Sequence, residues 1–278
     1  MFAKLPADSA TFAGNRAVGR IELSVAAAAR GNSRRRVREE GSLRIRFPNV
    51  ARGAALEAMI INTAGGMTGG DRFDLAFEAG AGARLTVTTA AAEKIYRSLG
   101  TDTVVNVKLA VGTGATLAWL PQETILFDRM RLRRTIEADL AADAQLIVAE
   151  MLVFGRAAMG ETLARGHLFD RWRIRAGGAL LFAESLRLDG MIAENLAQRA
   201  VAAGGGAVAS VLKIPASDAD VAAIRERQSD FAGEVGISAF NGLALARLVA
   251  TDGAALRRDL IGVLTALGGV TLPRLWLN

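Results

Sequence analysis

Hydrophobic and polar residues alternate with a period of two through much of the N-terminal half of the chain. This pattern is typical of β-strands that bury one face and expose the other. The clearest rows on the apolar face are Leu85, Val87 and Thr89, then Val105, Val107, Leu109 and Val111, and then Leu132, Ile136, Ala138 and Leu140. The alternation therefore predicts a mainly β protein in which strand follows strand.

A weak internal repeat accompanies the strands: a turn of small residues precedes a leucine that opens an apolar segment. The leucines are Leu85, Leu117, Leu146 and Leu180, at intervals of roughly 30 residues, which is within the range of stacked repeat architectures. We therefore predict stacked or layered β-sheets of a solenoid-like kind. Because β proteins in general place glycine before strands, an unrepeated β fold is the alternative.

The last quarter of the chain has a different pattern, in which strands alternate with helices. A strand over Ala207–Ile214 precedes a helix that starts at Ser217. A strand over residues 243–249 precedes Asp252, a favourable helix N-cap, and a helix over residues 254–267. The apolar face of that helix comprises Leu256, Leu260, Val263, Leu264 and Leu267. These elements predict a small α+β lobe that carries two helices.

Length and composition fit one large domain. The chain has 278 residues, of which 51% are hydrophobic and 22% charged, as in ordinary globular proteins. We expect a flexible tail over residues 1–17 and a single domain over 18–278, with the β body ending near residue 190 and the lobe spanning 191–278. No apolar run approaches the roughly 20 residues that span a bilayer, and the N-terminus lacks the pattern of a signal peptide. A cytoplasmic location is therefore expected.

Scarcity of soft metal ligands restricts the possible chemistry. The chain has no cysteine, and His167 is its single histidine. Disulfides, thiolate metal sites and histidine-rich metal cages are therefore excluded, and a Ser-His-Asp triad would depend on one residue. A lone histidine on a β segment is more often a packed or exposed ring than a ligand or a base.

The net charge of +6 comes mostly from arginine. Arginine forms paired hydrogen bonds with carboxylates as well as with phosphates, so an acidic protein partner and nucleic acid are both compatible with this charge. Rows of arginine at residues 131–134 and 171–175 motivate a nucleic-acid-binding module as an alternative function. Aromatic residues make up only 5% of the chain, which disfavours base stacking.

A glycine-rich segment over residues 64–71 is the most conspicuous local motif. Its glycines are Gly65, Gly66, Gly69 and Gly70. A phosphate-binding loop would need Gly-Lys-Ser/Thr and a following helix, but this segment continues into a predicted strand. We therefore expect a tight turn between strands or a close backbone approach to a partner.

Several carboxylates could take part in acid–base or metal chemistry. They are Asp71, Glu123, Asp128, Glu150, Glu161 and Glu184. Glu150 and Glu184 fall within apolar stretches, where a buried carboxylate needs a partner such as arginine. One interpretation is an ion pair that joins the layers. The other is a polar inner surface past which a cation could move.

Residues 119–127 form an apolar segment around Pro121. Because proline cannot donate a hydrogen bond to a central ladder, this residue indicates a bend or a sheet edge. Trp119, Gln122 and Phe127 belong to the same segment. An interface and ordinary core packing both fit this composition.

Short segments in collinear order carry a family resemblance from about residue 41 to the end of the chain. They are GSLRIRFP at 41–48, INTAGGMTGGD at 61–71, TTAAAEKIYRS at 88–98, residues 119–127, Glu150, FGRAAMGE at 154–161, residues 182–190 and LPRLW at 272–276. Each is weak alone. As an ordered set they resemble the urease accessory protein UreD family, also called UreH.

The resemblance implies a non-catalytic, β-rich accessory protein that acts as a scaffold or chaperone. It implies a UreF-like helical partner and a UreG-like GTPase, which together with this protein deliver nickel to apo-urease. No tightly bound cofactor is implied, with nickel at most in transit, and neither nucleic acid nor a membrane is an expected partner. A β-solenoid enzyme acting on polysaccharide, which would need converging carboxylates in an open groove, is an alternative.

The matching segments also supply candidate site residues. Polar residues that nickel could pass are Asp71, Glu150 and Glu161. Candidates for partner-interface or structural roles are Gly65, Gly66, Gly69, Gly70, Lys94, Tyr96, Arg97, Trp119, Pro121, Gln122, Phe127 and Arg156.

Overall fold

The computed structural model describes residues 14–29, 31–51, 53–156 and 159–277. Two β-sheets enclose a common hydrophobic core. In order across the sheet, the seven-stranded sheet consists of β14 (Ala179–Met191), β13 (Arg165–Ala176), β11 (Arg131–Leu140), β8 (Thr103–Val111), β5 (Arg72–Ala79), β1 (Val18–Ala28) and β2 (Gly31–Gly41).

The second sheet has ten strands. Its main path is β16 (Glu234–Phe240), β17 (Leu243–Ala250), β15 (Ala207–Ile214), β12 (Gln145–Phe154), β9 (Thr116–Trp119), β6 (Arg84–Thr89), β4 (Leu56–Asn62) and β3 (Leu43–Arg46). Two short strands, β7 (Glu93–Ile95) and β10 (Thr124–Leu126), pair with each other, and β10 also pairs with β12.

From β4 to β13 the chain passes back and forth between the two sheets, and successive coils add parallel strands to each. The predicted stacked, solenoid-like architecture is therefore confirmed. Leu85 is the register partner of Leu117, and Leu117 is the partner of Leu146. The repeat was wrong for Leu180, which is 54% exposed on β14. That strand is the antiparallel return of a hairpin with β13 and does not open a new coil.

The predicted lobe is also confirmed. A short helix, α1 (Ile192–Ala197), follows the β body, and the two predicted helices are α2 (Asp218–Arg225) and α3 (Gly253–Leu267). Ser217 and Asp252 are their N-caps, as the sequence predicts. In the described ranges, no helix is both long enough and apolar enough to cross a membrane.

The ten-stranded sheet separates two hydrophobic cores. One face packs on the seven-stranded sheet and the other is covered by α2 and α3, which gives a sheet–sheet core and a sheet–helix core. On β12, Leu146 and Val148 belong to the sheet–sheet core, whereas Ile147 and Ala149 belong to the sheet–helix core. Because side chains alternate along a strand, Glu150 faces the sheet–sheet core.

The predicted flexible tail falls mostly on residues 1–13, which lie outside the described residues. At its end, Arg16 Nη1 donates to the Gly69 carbonyl at 2.9 Å, and Ala17 N donates to Asp71 Oδ1 at 2.8 Å. These bonds connect the start of β1 with the glycine-rich segment.

Candidate functional site

The glycine-rich segment packs tightly against residues 94–98. A Cβ atom on Gly66 would lie 2.4 Å from Tyr96 Cε2, and one on Gly69 would lie 2.0 Å from Ser98 Oγ. Larger residues at these two positions would force the loops apart. Gly66 and Gly69 therefore allow the glycine-rich segment to pack closely on residues 94–98 of the same chain.

Asp71 fixes the end of this segment. It is buried, and its Oδ1 accepts from Ala17 N at 2.8 Å while its Oδ2 accepts from Thr68 N at 2.7 Å. Gly65 and Gly70 have φ angles of 75° and 94°, which L-residues with a Cβ rarely adopt. Both carboxylate oxygens of Asp71 are thus engaged by backbone groups at a tight turn.

An open cavity near this segment is lined by aromatic and charged residues, which we call the rim patch: Tyr96, Arg97, Phe127, Arg156 and Glu161. The rings of Tyr96 and Phe127 meet edge to face, with centroids 4.9 Å apart. The guanidinium carbon of Arg156 lies 4.2 Å from the Phe127 ring centroid, and Arg156 Nε lies 2.5 Å from Glu161 Oε2. Tyr96 is 37% exposed, so the patch is accessible at the surface.

A charged network lies in the sheet–sheet core, and we call it the buried trio: Glu150, Arg134 and Asp170. Arg134 Nη1 donates to Glu150 Oε2, and Arg134 Nε donates to Asp170 Oδ2 at 3.2 Å. Trp119 Nε1 donates to Glu150 Oε1 at 2.7 Å. The trio side chains are only 3–6% exposed, so their charges interact with little screening by water.

Strand register brings the trio together. Arg134 on β11 lies directly opposite Asp170 on the parallel strand β13. Glu150 projects from β12 in the other sheet toward this pair. The trio therefore connects the two sheets through a core that is otherwise mainly apolar.

Two cavities adjoin the trio, and Arg134 and Glu150 line both. The first has a volume of about 60 Å³ and lies between the two sheets. The second has a volume of about 30 Å³ and is also lined by Asp170 and Glu184. One water molecule needs about 10–15 Å³ of such space, so both cavities admit species of that size. The trio thus stands between two internal spaces.

Two carboxylate oxygens at the second cavity are unsatisfied. Asp170 Oδ1 and Glu184 Oε2 are buried and have no hydrogen-bond partner among the described residues. The other oxygen of Glu184 pairs with Arg247 Nη2 at 2.9 Å, and the other oxygen of Asp170 pairs with Arg134. A buried oxygen without a donor destabilises the fold. These two oxygens can accept from water or coordinate a cation.

The trio has unbalanced charge, because two carboxylates share one guanidinium. Burial raises the pKa of Glu150 to about 7; the charge of Asp170 adds to this rise, whereas Arg134 and the Trp119 indole oppose it. Burial would lower the pKa of Arg134, but the two carboxylates raise it above its ordinary value. The guanidinium therefore stays charged, and Glu150 can exchange a proton near neutral pH.

The first cavity contains further polar groups. Burial raises the pKa of Glu93, although Asn62 Nδ2 donates to its Oε1 at 3.0 Å and opposes that rise. Pro121 and Gln122 also line this cavity. Gln122 accepts through Oε1 from Arg257 of α3, and its buried Nε2 has no partner in the described ranges. Part of the 119–127 segment is therefore internal.

The three carboxylates predicted for nickel passage occupy different environments. Asp71 lies in the glycine-rich turn, Glu150 in the buried trio, and Glu161 in the rim patch. Lys94 lies on β7 with an exposed side chain, and its carbonyl accepts from Met67 N at 2.7 Å. Glu150 is the member of this set that adjoins both internal cavities.

Other charged candidates pair with neighbouring residues. His167 Nδ1 lies 3.1 Å from Asp189 Oδ1 across the β13–β14 hairpin. Arg131 Nε and Arg133 Nη2 contact the Asp102 carboxylate at 2.8 and 3.2 Å. Within the described part of the chain, no group of three or more Asp, Glu or His side chains is arranged to hold a metal ion.

Arg134 was predicted only as a member of the arginine row at residues 131–134, and Asp170 was not predicted as a site residue; the structure buries both. A signal was present: Arg134 stands between Leu132 and Ile136 in an otherwise apolar row, and Asp170 precedes Trp172 by two residues in the next such row. A charge at an inward position needs a partner in the core. Only the strand register identifies each as the partner of the other.

Comparisons with known proteins point to one family over nearly the whole chain. A family described as UreD urease accessory protein matches residues 17–277. A Urease accessory protein UreD from Rhodopseudomonas palustris (strain BisB18) is 52% identical over 97% of both chains. One from Bradyrhizobium diazoefficiens is 50% identical over the full length of both chains. A UreD 1 protein from Bradyrhizobium sp. (strain ORS 278) is 47% identical over 98% of this chain and 99% of its own.

Proposed function

Because the chain belongs to the UreD urease accessory protein family, we propose that it is a non-catalytic scaffold for insertion of nickel into apo-urease. In this proposal it acts in the cytoplasm with a UreF-like helical protein and a UreG-like GTPase. Nickel is cargo that crosses the complex and is not a resident cofactor of this chain.

The buried trio is the observation that supports this role most strongly. Glu150, Arg134 and Asp170 place three charges in an apolar core, with a cavity on each side. For stability alone, a buried ion pair offers little advantage over apolar packing. Carboxylate oxygens bind nickel more weakly than thiolates or imidazoles do, which suits passage better than storage.

We assign the rim patch as one surface on which partners dock. Tyr96, Phe127 and Arg156 are of the types enriched at the centres of protein interfaces. Leu99 and Met159 are 82% and 73% exposed, which adds apolar surface in neighbouring parts of the sequence. A broad interface there would cover side chains that otherwise face water.

Maturation of urease in the presence of this chain tests the proposal. Apo-urease would be combined with the two accessory partners, GTP and nickel, and the nickel content of the purified urease would be measured. We expect Glu150→Ala to reduce that content while the accessory complex still co-purifies. Normal nickel content with the variant would refute a role for Glu150. Turnover of GTP by this chain alone at an enzyme-like rate would refute the non-catalytic assignment.

A further inference from the structure

The cavity beside the rim patch has more positive charge than its own carboxylates balance. Its volume is about 590 Å³, and its charged lining residues are three arginines and two acids: Arg97, Arg129, Arg156, Asp128 and Glu161. Glu161 is already engaged, because its Oε2 lies 2.5 Å from Arg156 Nε. Arg97 is exposed, and within the described ranges its guanidinium takes part in no ion pair. Arg97 therefore has its donors available for a ligand.

Arg129 is the second arginine with free donors at this cavity. Its φ angle of 60° is uncommon for a residue other than glycine. Two backbone bonds hold it in this conformation: its N donates to the Arg165 carbonyl at 2.7 Å, and its carbonyl accepts from Ser98 N at 3.0 Å. Arg129 Nε lies 3.5 Å from Asp128 Oδ2, which is longer than a well-formed hydrogen bond, and the side chain is 58% exposed. Its backbone is thus fixed while its guanidinium remains accessible.

Apolar surface adjoins these two guanidiniums. Tyr96 and Phe127 form the edge-to-face pair of the rim patch, and Tyr96 Oη donates to the Gly65 carbonyl at 3.2 Å, which fixes the tyrosine ring. Leu99, on the same loop as Tyr96, is 82% exposed. The surface therefore combines unpaired positive charge with aromatic and aliphatic groups that a partner could cover.

We propose that the rim patch binds an acidic segment of a partner protein, in which a carboxylate is held by Arg97 and Arg129 and a neighbouring apolar side chain packs on Tyr96. Guanidinium groups bind carboxylates through paired, charge-assisted hydrogen bonds. The inference rests on the proposed function, which makes the rim patch a docking surface, and it adds the chemistry of the group that docks there.

Nucleic acid fits this surface less well, although phosphate groups also bind arginine. Asp128 and Glu161 line the same cavity and would repel a continuous row of phosphates. Arg156 lies over the Phe127 ring, with its guanidinium carbon 4.2 Å from the centroid, so this ring face is not open for a base to stack on. A protein segment places single carboxylates beside apolar side chains, which matches the mixed lining.

Tyr96 provides a direct probe of the patch, because it is the single tyrosine of the chain. The full-length chain would be labelled with a fluorinated tyrosine, so that its one fluorine NMR resonance reports on the rim patch. Apo-urease and the UreF-like protein would be added separately. We expect the resonance to shift when one of these proteins is added at low salt. The binding that causes this shift should weaken about tenfold at high salt, since it depends on exposed charges.

Charge reversal in the patch should weaken the same binding. We expect Arg97→Glu to raise the Kd for that protein about tenfold or more, because it places like charges together. Arg227→Glu is the matched control: it makes the same change of charge at an exposed residue of the α+β lobe, which pairs with Asp230 at 3.2 Å. This variant should keep the wild-type Kd. If Arg97→Glu does not fold, Arg97→Gln is the second variant and should raise the Kd by a smaller factor.

An unchanged Tyr96 resonance in the presence of a protein that co-purifies with the chain would overturn this inference alone. So would equal Kd values for the folded Arg97 and Arg227 variants. Displacement of the bound protein by a single-stranded DNA oligonucleotide would also overturn it, in favour of a phosphate ligand. If neither protein co-purifies with the chain, the proposed function fails and this inference fails with it.

Discussion

The two cores that share the ten-stranded sheet treat buried carboxylates in opposite ways. On α3, beside the sheet–helix core, Asp259 accepts from Ala232 N at 2.9 Å and from Gly233 N at 2.8 Å. In the sheet–sheet core, Asp170 leaves one oxygen without a donor and shares a single guanidinium with Glu150. Asp259, Asp170 and Glu150 are equally buried, at 4–5% exposure.

The exposed fraction therefore does not distinguish these carboxylates, whereas the completeness of their hydrogen bonding does. Backbone N–H groups hold Asp259 in one state, because they are fixed by the fold. In the trio, two carboxylates share one guanidinium, one oxygen has no donor, and a cavity lies on each side. Substitutions in the two cores should separate these roles.

Arg134→Ala should have the largest effect on stability. It leaves two buried carboxylates without a counter-charge, and we expect the free energy of unfolding to fall by about 3–5 kcal/mol. Urea denaturation followed by circular dichroism measures this. Arg133→Ala is the control and should change stability by about 1 kcal/mol or less, since its pair with Asp102 is exposed. Equal losses of stability in the two variants would show that the trio contributes no more to stability than an exposed ion pair does.

Asp259→Ala should have the next largest effect on stability. It leaves the backbone N–H groups of Ala232 and Gly233 without their acceptor, and we expect a loss of about 2–3 kcal/mol in the same assay. Asp259→Asn keeps one acceptor and should lose less. Urease matured with either folded variant should have normal nickel content. A fall in that nickel content would remove the distinction between the two cores.

Asp220→Asn should have a smaller effect with a defined pH dependence. Burial would raise the pKa of Asp220, but bonds from Lys213 and from the Ser217 backbone lower it overall. A lowered pKa adds stability above the unfolded-state value of about 3.9, and that stability is lost as pH falls through the folded-state value. We expect a loss of about 1 kcal/mol at pH 7. Wild-type and variant unfolding curves should converge at low pH, and a constant difference would contradict this.

Glu150→Gln should show the opposite pH dependence. The pKa of Glu150 is raised to about 7, so ionisation of the buried group lowers wild-type stability as pH rises from about 4.5 to 7. Glutamine removes this dependence. The variant should therefore gain stability relative to wild type across that pH range in parallel urea titrations. An unchanged difference between pH 5 and pH 8 would show that Glu150 stays ionised throughout.

Local patterns explain why much of the fold could be predicted from sequence. The N-caps Ser217 and Asp252 and the periodic leucines of α3 involve residues a few positions apart, and these predictions were correct. The stack of Leu85, Leu117 and Leu146 also follows from a repeat that is visible in the chain.

The contacts of the buried trio could not be predicted, because the hydrophobic pattern does not contain the strand register. An arginine at an inward position predicts a buried partner, but which carboxylate meets Arg134 depends on strand register and on the separation of the sheets. Asp71 illustrates the converse. Its place beside a glycine motif suggested chemistry, yet the turn geometry engages both of its oxygens with backbone N–H groups.

Nickel content of urease matured with Glu150→Gln tests the central claim most directly. Glutamine keeps the shape of the side chain and one oxygen, which can accept from Trp119 or from Arg134, so the accessory complex should still assemble. With Asp259→Asn as the control, we expect normal nickel content for the control and, for Glu150→Gln, the level obtained when the chain is omitted. Equal nickel content with both variants would contradict the account.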